Sequence, residues 1–349
     1  MKILYGIQGT GHGHISRARE ILPLLSEKAE VDVLISGYNC NMNLDGFEVT
    51  HKRGISLAYD SSGGVSYLQT ALQIKPVTFL NDVQSLEVDR YDLVISDYEP
   101  VTAWASINKK TPCIALSHQA AFLSEKSPRP ERRSLMAEQI LKNFAPCDKA
   151  IGFHFRRYDS FILPPIIRQE VLNMDTTPGN HVTVYLPAFH HNILISHFNK
   201  IPKTEWHLFS PSCKETFNSD NVTVHPVGNI SFLKSLKSGM GVFTSGGFET
   251  CAEAMYLGKK LLVMPIRNQY EQLCNSAALK QMGITVIEKF DTSFTNTAKT
   301  WIEETPVIQL HEVADTKLLT EKLVRYARRF RNRKINVNLN NEPKLAQFN

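Results

Sequence analysis

The chain has 349 residues, which suits about two domains of roughly 150 residues each and leaves room for one or two buried cores. Hydrophobic residues at 42% and charged residues at 21%, with 18 Gly and 17 Pro, exclude a disordered or collagen-like chain. A formal charge of +5 is mild; it does not by itself indicate nucleic acid, and it suits an anionic substrate.

Residues 3–7 read as a short buried strand rather than the start of a signal peptide, because Gly6 breaks the run and His12, His14, Arg17 and Arg19 follow at once. A loop over 8–14 leads into a helix over 15–26, with Ile15, Ala18, Ile21, Leu22 and Leu25 at helical spacing. Strands at 31–36, 93–96 and 113–116 are apolar runs ending in polar residues, the pattern of strands buried on both faces of a parallel sheet. Ligands bind such sheets at the carboxyl edge, so loops 8–14, 97–100 and 117–120 should converge on one face. A further strand covers 150–153.

Leu163-Pro164-Pro165 and Thr177-Pro178-Gly179-Asn180 interrupt the pattern and mark a linker over 164–180, between a first lobe over 1–163 and a second over 181–325. In the second lobe the alternation restarts, with strands at 181–187, 206–210, 222–225, 241–244 and 260–264. Helices fall at 192–197, 230–238, 249–257 and 271–282. The expected fold class is α/β, two Rossmann-like parallel-sheet lobes with a small-molecule site in the cleft between them.

The segment 310–334 is helical in pattern, and a basic helix and tail over 326–349 is expected to pack back on the first lobe. Lys322, Arg325, Arg328, Arg329, Arg331, Arg333 and Lys334 suit a solvated face, or contact with anionic headgroups or a phosphorylated substrate. The Asn-rich residues 335–349 are expected to fray. No apolar run approaches the roughly 20 residues of a bilayer crossing. Cys40, Cys113, Cys147, Cys213, Cys251 and Cys274 form no C-x-x-C pair, as expected of reduced, mostly buried thiols in a cytosolic protein.

Three stretches carry chemistry. Gly9-Thr10-Gly11-His12-Gly13-His14 closes a strand and opens a helix, yet lacks the third glycine of a dinucleotide fingerprint and the Gly-Lys-Ser/Thr of a P-loop. What remains is a flexible turn at a helix N-terminus, suited to an anion or developing negative charge, with His14 able to take a proton near neutral pH. A plain turn, or a His12-x-His14 metal pair, is the competing reading. Thr244-Ser245-Gly246-Gly247-Phe248-Glu249-Thr250-Cys251-Ala252-Glu253 again joins a strand to a helix. The N–H groups of Gly246, Gly247 and Phe248 can cradle a diphosphate, Ser245 or Thr250 can donate a hydroxyl, and Glu253 can accept from a ribose. The third stretch, Met264–Asn275, places Glu271 and Gln272 at a helix entrance, where they can bond sugar hydroxyls.

Other polar loop residues stay open. Asp97 suits a base, an orienting partner of His14 or a turn acid. His118 suits an acceptor contact, and His190-His191 a surface pair. Asp82 and Asp97 are isolated and Asp89-Arg90-Tyr91-Asp92 has the wrong spacing for an Asp-x-Asp metal site, so no metal is expected.

The glycine turn near residue 10, Ser-Gly-Gly-Phe-Glu-Thr-x-x-Glu-Ala at 245–254, and Pro-x-x-x-x-x-Glu-Gln-x-x-Asn at 265–275 resemble the two-lobed GT-B glycosyltransferases, family 28 above all. That family includes the peptidoglycan UDP-GlcNAc transferase. The resemblance spans both lobes but finds no counterpart between about residues 40 and 90. It implies an inverting, metal-independent transfer without a cofactor, from a UDP-sugar such as UDP-GlcNAc to a cell-envelope glycan or glycolipid. By likeness the first lobe holds the acceptor near Gly11, His12, Gly13 and His118, with His14 at the reaction centre. Ser245, Gly246 and Gly247 would face the diphosphate, 224–232 the base, Glu253 the ribose, and Glu271 and Gln272 the sugar. One extra residue in each glycine motif departs from the peptidoglycan enzyme. A UDP-GlcNAc 2-epimerase and a non-catalytic nucleotide-sugar-binding protein are the alternatives. The expected location is cytoplasmic, with peripheral contact at an anionic inner membrane face.

Overall fold

The computed structural model describes residues 1–37, 44–56, 58, 70, 72–177 and 179–341, with the side chains of His12 and 333–341 outside that description. The first sheet comprises β1 (Lys2–Gln8), β2 (Glu30–Ser36), β3 (Val49–Lys52), β4 (Leu93–Asp97), β5 (Cys113–Ser117), β6 (Lys149–Phe153) and β7 (Ile162–Leu163). Its order is β3-β2-β1-β4-β5-β6-β7 and every pairing is parallel. The order reverses between β1 and β4, the switch point that opens a crevice at the carboxyl edge of an α/β sheet. Helix α1 (His12–Ser26) connects β1 to β2, and α2 (Pro76–Ser85), α3 (Pro100–Lys109) and α4 (Leu135–Asn143) complete the first lobe.

The second sheet contains β8 (His181–Tyr185), β9 (Glu205–Ser210), β10 (Phe217–Ser219), β11 (Val222–Pro226), β12 (Gly241–Thr244), β13 (Lys260–Val263) and β14 (Thr285–Val286), in the order β10-β11-β9-β8-β12-β13-β14. Only the edge pair β10 and β11 is antiparallel. Between the sheets lies α5 (Gln169–Leu172), and α6 (His191–Phe198), α7 (Asn229–Ser238), α8 (Phe248–Tyr256), α9 (Tyr270–Gln281), α10 (Phe294–Glu303) and α11 (Thr316–Asn341) follow.

Burial explains the pattern. Ile3, Tyr5 and Ile7 of β1 pack against Ile15, Ala18, Ile21, Leu22 and Leu25 of α1, all of them buried. That cluster runs on through Ile166, Ile167 and Val171 of the connecting segment to Val242, Phe248, Cys251 and Met255 of the second sheet and α8. The connecting segment carries a short helix, and its Ile166, Ile167 and Val171 are buried in this cluster. A separate cluster around Trp206, Phe198, Phe243 and Trp301 fills the other face of the second sheet.

Several expectations need correcting. Residues 8–14 are not all loop, since α1 begins at His12. β3, α2, α3, α4 and α10 lie in stretches where the sequence pattern assigned nothing. Residues 310–315 run without helix, held by Leu310 N–H to the Met255 carbonyl (3.1 Å) and Ala314 N–H to the Pro165 carbonyl (2.8 Å). α11 then lies along α1, with Leu319, Leu323 and Ala327 in the shared core, Lys28 to Glu321 at 3.3 Å, and the Lys149 ammonium over the Tyr326 ring. It continues to Asn341, and 342–349 lie outside the described residues. Cys113, Cys147, Cys213, Cys251 and Cys274 are free thiols, and Cys40 lies outside the described residues. Among the described residues no helix is long and apolar enough to cross a membrane.

Gly152 of β6 is packed so closely that a Cβ there would lie 2.6 Å from the Ala121 amide nitrogen and 2.7 Å from its Cα. Backbone cannot yield as a side-chain tip does. Gly152→Ala should lower stability by about 1–3 kcal/mol, the usual penalty for overpacking, read as a lower urea midpoint at unchanged m-value.

Candidate active site

The carboxyl edges of the two sheets face one another, and the first turns of α1 and α8 meet between them. Neither helix is capped by its own N-cap residue, since Gly11 and Gly247 offer no side-chain acceptor; the first turn of α1 faces the Glu249 carboxylate, and the N-terminus of α8 carries the partial positive charge that suits an anion. Gly246 adopts φ +84°, a left-handed conformation, and a Cβ there would meet Val263 Cγ1 at 3.1 Å. Both conditions select glycine. The buried Ser276 hydroxyl, beside this loop, has no hydrogen-bond partner among the described residues.

In the first lobe, His14 Nδ1 lies 2.7 Å from Asp97 Oδ1, at the end of β4. Asp97 is wholly buried and also accepts from Arg17 Nε at 2.9 Å and Arg17 Nη2 at 2.6 Å. Arg17 Nη2 stands 3.0 Å from His14 Nδ1 as well. Asp97 can only accept and the guanidinium can only donate, so the two make opposite demands on Nδ1; a proton on Nδ1 directed at Asp97 satisfies the shorter, 2.7 Å contact, and in that tautomer Nε2 is the acceptor. Burial pushes the Asp97 carboxyl up, but Arg17 and His14 outweigh it and hold it below the usual carboxylate range. Burial likewise works against the Arg17 charge, yet Asp97 and Glu249 leave that guanidinium more firmly protonated than usual.

Contacts cross the cleft throughout. Arg17 Nη1 donates to Glu249 Oε1 at 2.6 Å, and Glu249 also lies against Gly13, where a Cβ would collide with its carboxylate. His118 stacks on Phe248 with ring centroids 3.9 Å apart, its Nε2 is 2.7 Å from Asn275 Oδ1, and its Nδ1 is 2.7 Å from the Phe153 carbonyl. Gln119 donates to Glu271 Oε2 at 2.8 Å, and the Tyr270 hydroxyl to Glu138 at 2.7 Å.

The residues singled out from the sequence are thus brought together, with differences in what they touch. His118, expected at an acceptor, is buried, with Nδ1 at the Phe153 carbonyl of its own lobe and Nε2 at Asn275 of the other. Glu253, expected at a ribose, is buried and receives Arg168 Nε at 2.6 Å and Nη2 at 2.7 Å. Burial pushes its carboxyl up, and Arg168 only partly reverses this. Gln272, expected at the sugar, turns its carbonyl oxygen to the Ile266 N–H at 2.9 Å, and Glu271 accepts from Gln119. Ser245 is buried, and Thr250 is half-buried in the first turn of α8. His190 caps α6 through the Asn192 N–H, and His191 lies 3.2 Å from Ser210 Oγ, so the pair serves its own lobe.

Arg17, Arg168, Asn275 and Glu249 were not marked as site residues by pattern. Arg17 had one available signal, its place three residues after His14 on one helix face. Nothing in the sequence pairs Arg168 with Glu253, which lies 85 residues away.

Two facing parallel sheets with a crevice between their carboxyl edges define the GT-B glycosyltransferase fold, and solved structures bear this out. SnogD, a glycosyltransferase from Streptomyces nogalater, superposes with a TM-score of 0.55 at 16% identity, over 93% of this chain and 99% of that one. UGT2 of Phytolacca americana, solved with UDP-2fluoro-glucose and pterostilbene, gives 0.57 at 13% identity, covering 94% and 93%. MurG of Acinetobacter baumannii gives 0.57 at 10% identity, covering 94% and 99%. No curated sequence matches significantly. Residues 1–306 match the family model described as Glycosyl transferase family 1, and the chain belongs to that family. It is a glycosyltransferase.

Asp97 sets a pH prediction. Its folded pKa is lowered, so its contribution to stability is full above the unfolded carboxylate pKa of about 4 and is lost as pH falls through the lower folded value. Asp97→Asn should flatten that acid limb in chemical denaturation. At pH 7 it should cost about 3 kcal/mol, because buried Arg17 loses the wholly buried one of its two acid partners and keeps only Glu249.

Proposed function

We propose that the protein is an inverting, metal-independent transferase that moves a sugar, GlcNAc in the reading favoured here, from a UDP-sugar to a cell-envelope glycan or glycolipid acceptor. The observation that carries the proposal is the meeting of the His14–Asp97 pair with the uncapped N-terminus of α8 across one cleft. The pyrophosphate lies on the amides of Gly246, Gly247 and Phe248, with Ser245 and Thr250 supplying hydroxyls. There the helix N-terminus stabilises charge that grows as the leaving group departs. The ribose lies at Glu253, which exchanges Arg168 for the two sugar hydroxyls or shares them with it. Glu271 and Gln272 border the donor sugar.

The acceptor hydroxyl approaches from the first lobe, past Gly11, His12 and Gly13. Its oxygen attacks the anomeric carbon as the bond to the pyrophosphate oxygen breaks on the opposite face, and His14 Nε2 takes its proton. Asp97 holds the imidazole in the required tautomer and stabilises the imidazolium that forms. The complete burial of Asp97 and its bonds to Arg17 and His14 support the orienting role for it. No cofactor enters the scheme. The outer face of α11, with Lys322, Arg325, Arg328, Arg329 and Arg331 exposed, suits peripheral contact with an anionic membrane surface where such acceptors reside.

His14→Ala should abolish transfer while leaving UDP affinity nearly intact, measured as UDP release beside calorimetric titration; unchanged turnover would remove His14 from the mechanism. Glu253→Ala should weaken UDP binding by about 1.5–3 kcal/mol, as expected for lost hydrogen bonds to a charged group. Equal affinity in the two proteins would overturn the ribose assignment.

A further inference from the structure

Arg17 stands one turn after His14 on α1, and its guanidinium is buried between the lobes. Nε and Nη2 grip the two oxygens of Asp97, while Nη1 reaches across the cleft to Glu249. The guanidinium carbon lies 5.7 Å from the centroid of the Phe153 ring. Glu249 immediately follows the Gly246–Phe248 loop, and its carboxylate also rests against Gly13. One planar cation therefore joins the acid that orients His14 to the first turn of the helix on the opposite lobe. The rigid fork matters: it fixes both Asp97 oxygens on one edge and aims a third bond elsewhere, which the single ammonium of lysine cannot do.

We propose that Arg17 is a positioning residue through which closure of the second lobe sets the His14–Asp97 pair, with Glu249 as the contact that registers closure. The inference rests on the reading that His14 and Asp97 act at the reacting centre. With Glu249 docked, the plane of the guanidinium is fixed at three points and Asp97 Oδ1 is held toward His14 Nδ1. With the lobes apart, Arg17 keeps Asp97 but loses the outer anchor that fixes this plane. The Glu249 charge also offsets that of Arg17, so more of the Asp97 field falls on His14. Glu249 acts through Arg17 and contacts no reacting atom in this scheme.

The test uses the full chain, UDP-GlcNAc as donor with water as the accepting nucleophile, and Glu249→Gln, Arg17→Lys, the double variant, and His14→Ala and Asp97→Asn as references. Glu249→Gln should lower kcat for UDP release on the order of 10- to 100-fold, the scale of a misplaced reacting group, without weakening UDP binding by calorimetry. Arg17→Lys should not rescue, and the double variant should be no slower than the slower single one, since both break one linkage. The radius of gyration of UDP-bound Glu249→Gln, from small-angle scattering, should exceed that of wild type. Wild-type kcat in Glu249→Gln together with an unchanged radius would overturn the proposal. Because the Glu249 side chain is partly exposed, that variant keeps the test decisive even if Arg17→Lys does not fold. Normal turnover in His14→Ala and Asp97→Asn, or no UDP release by wild type, would instead overturn the functional reading. Scattering would then decide the lobe contact by itself, an unchanged radius counting against it.

Discussion

Two helix N-termini brought together across a gap place partial positive charge against partial positive charge, and the site is organised around meeting that charge with carboxylates. Neither α1 nor α8 supplies a cap from its own N-cap residue. Glu249 lies against Gly13 in the first turn of α1, Asp97 sits behind His14, and the Arg17 guanidinium balances both acids. Such an arrangement is high in electrostatic tension yet poor in side-chain bulk.

The fold supplies the rigidity that this arrangement needs. β1 and β4 are neighbours, so the helix that follows β1 and the acid that ends β4 share one crevice by topology alone. The same logic sets Ser245–Phe248, after β12, beside Gln269–Gln272, after β13. Continuity of the apolar core through Ile166, Ile167 and Val171 ties the lobes at one end. At the cleft itself polar contacts such as Arg17–Glu249 and Gln119–Glu271 stand beside apolar ones, with Phe122 and Ala137 packed against Tyr270 and Cys274 and His118 stacked on Phe248.

Much of this was legible from residue pattern because the informative elements are strands buried on both faces, each followed by a glycine turn. Helix α1 and the stretch from β12 to α9 follow this form, and their expected limits fall within a few residues of those observed. Helices α2, α3, α4 and α10 were not legible: α2, for example, buries little beyond Val83, so its apolar spacing is weak. At the site, His14 and Asp97 were both candidates and their partnership was one of three readings of Asp97; the neighbouring of β1 and β4, which spacing does not encode, brings them to 2.7 Å. The grip of Arg168, in the connecting segment, on Glu253 and the contacts of both His118 nitrogens arise only in the folded chain, and of these only His118 to Asn275 needs the two lobes to meet.

The most direct measurement is a crystal structure of the chain with UDP-GlcNAc bound. The account predicts the pyrophosphate on the amides of residues 246–248, the ribose hydroxyls at Glu253, and the anomeric carbon turned across the cleft toward His14 Nε2. A uridine ligand seated away from both glycine turns, or a sugar directed away from the first lobe, would contradict it.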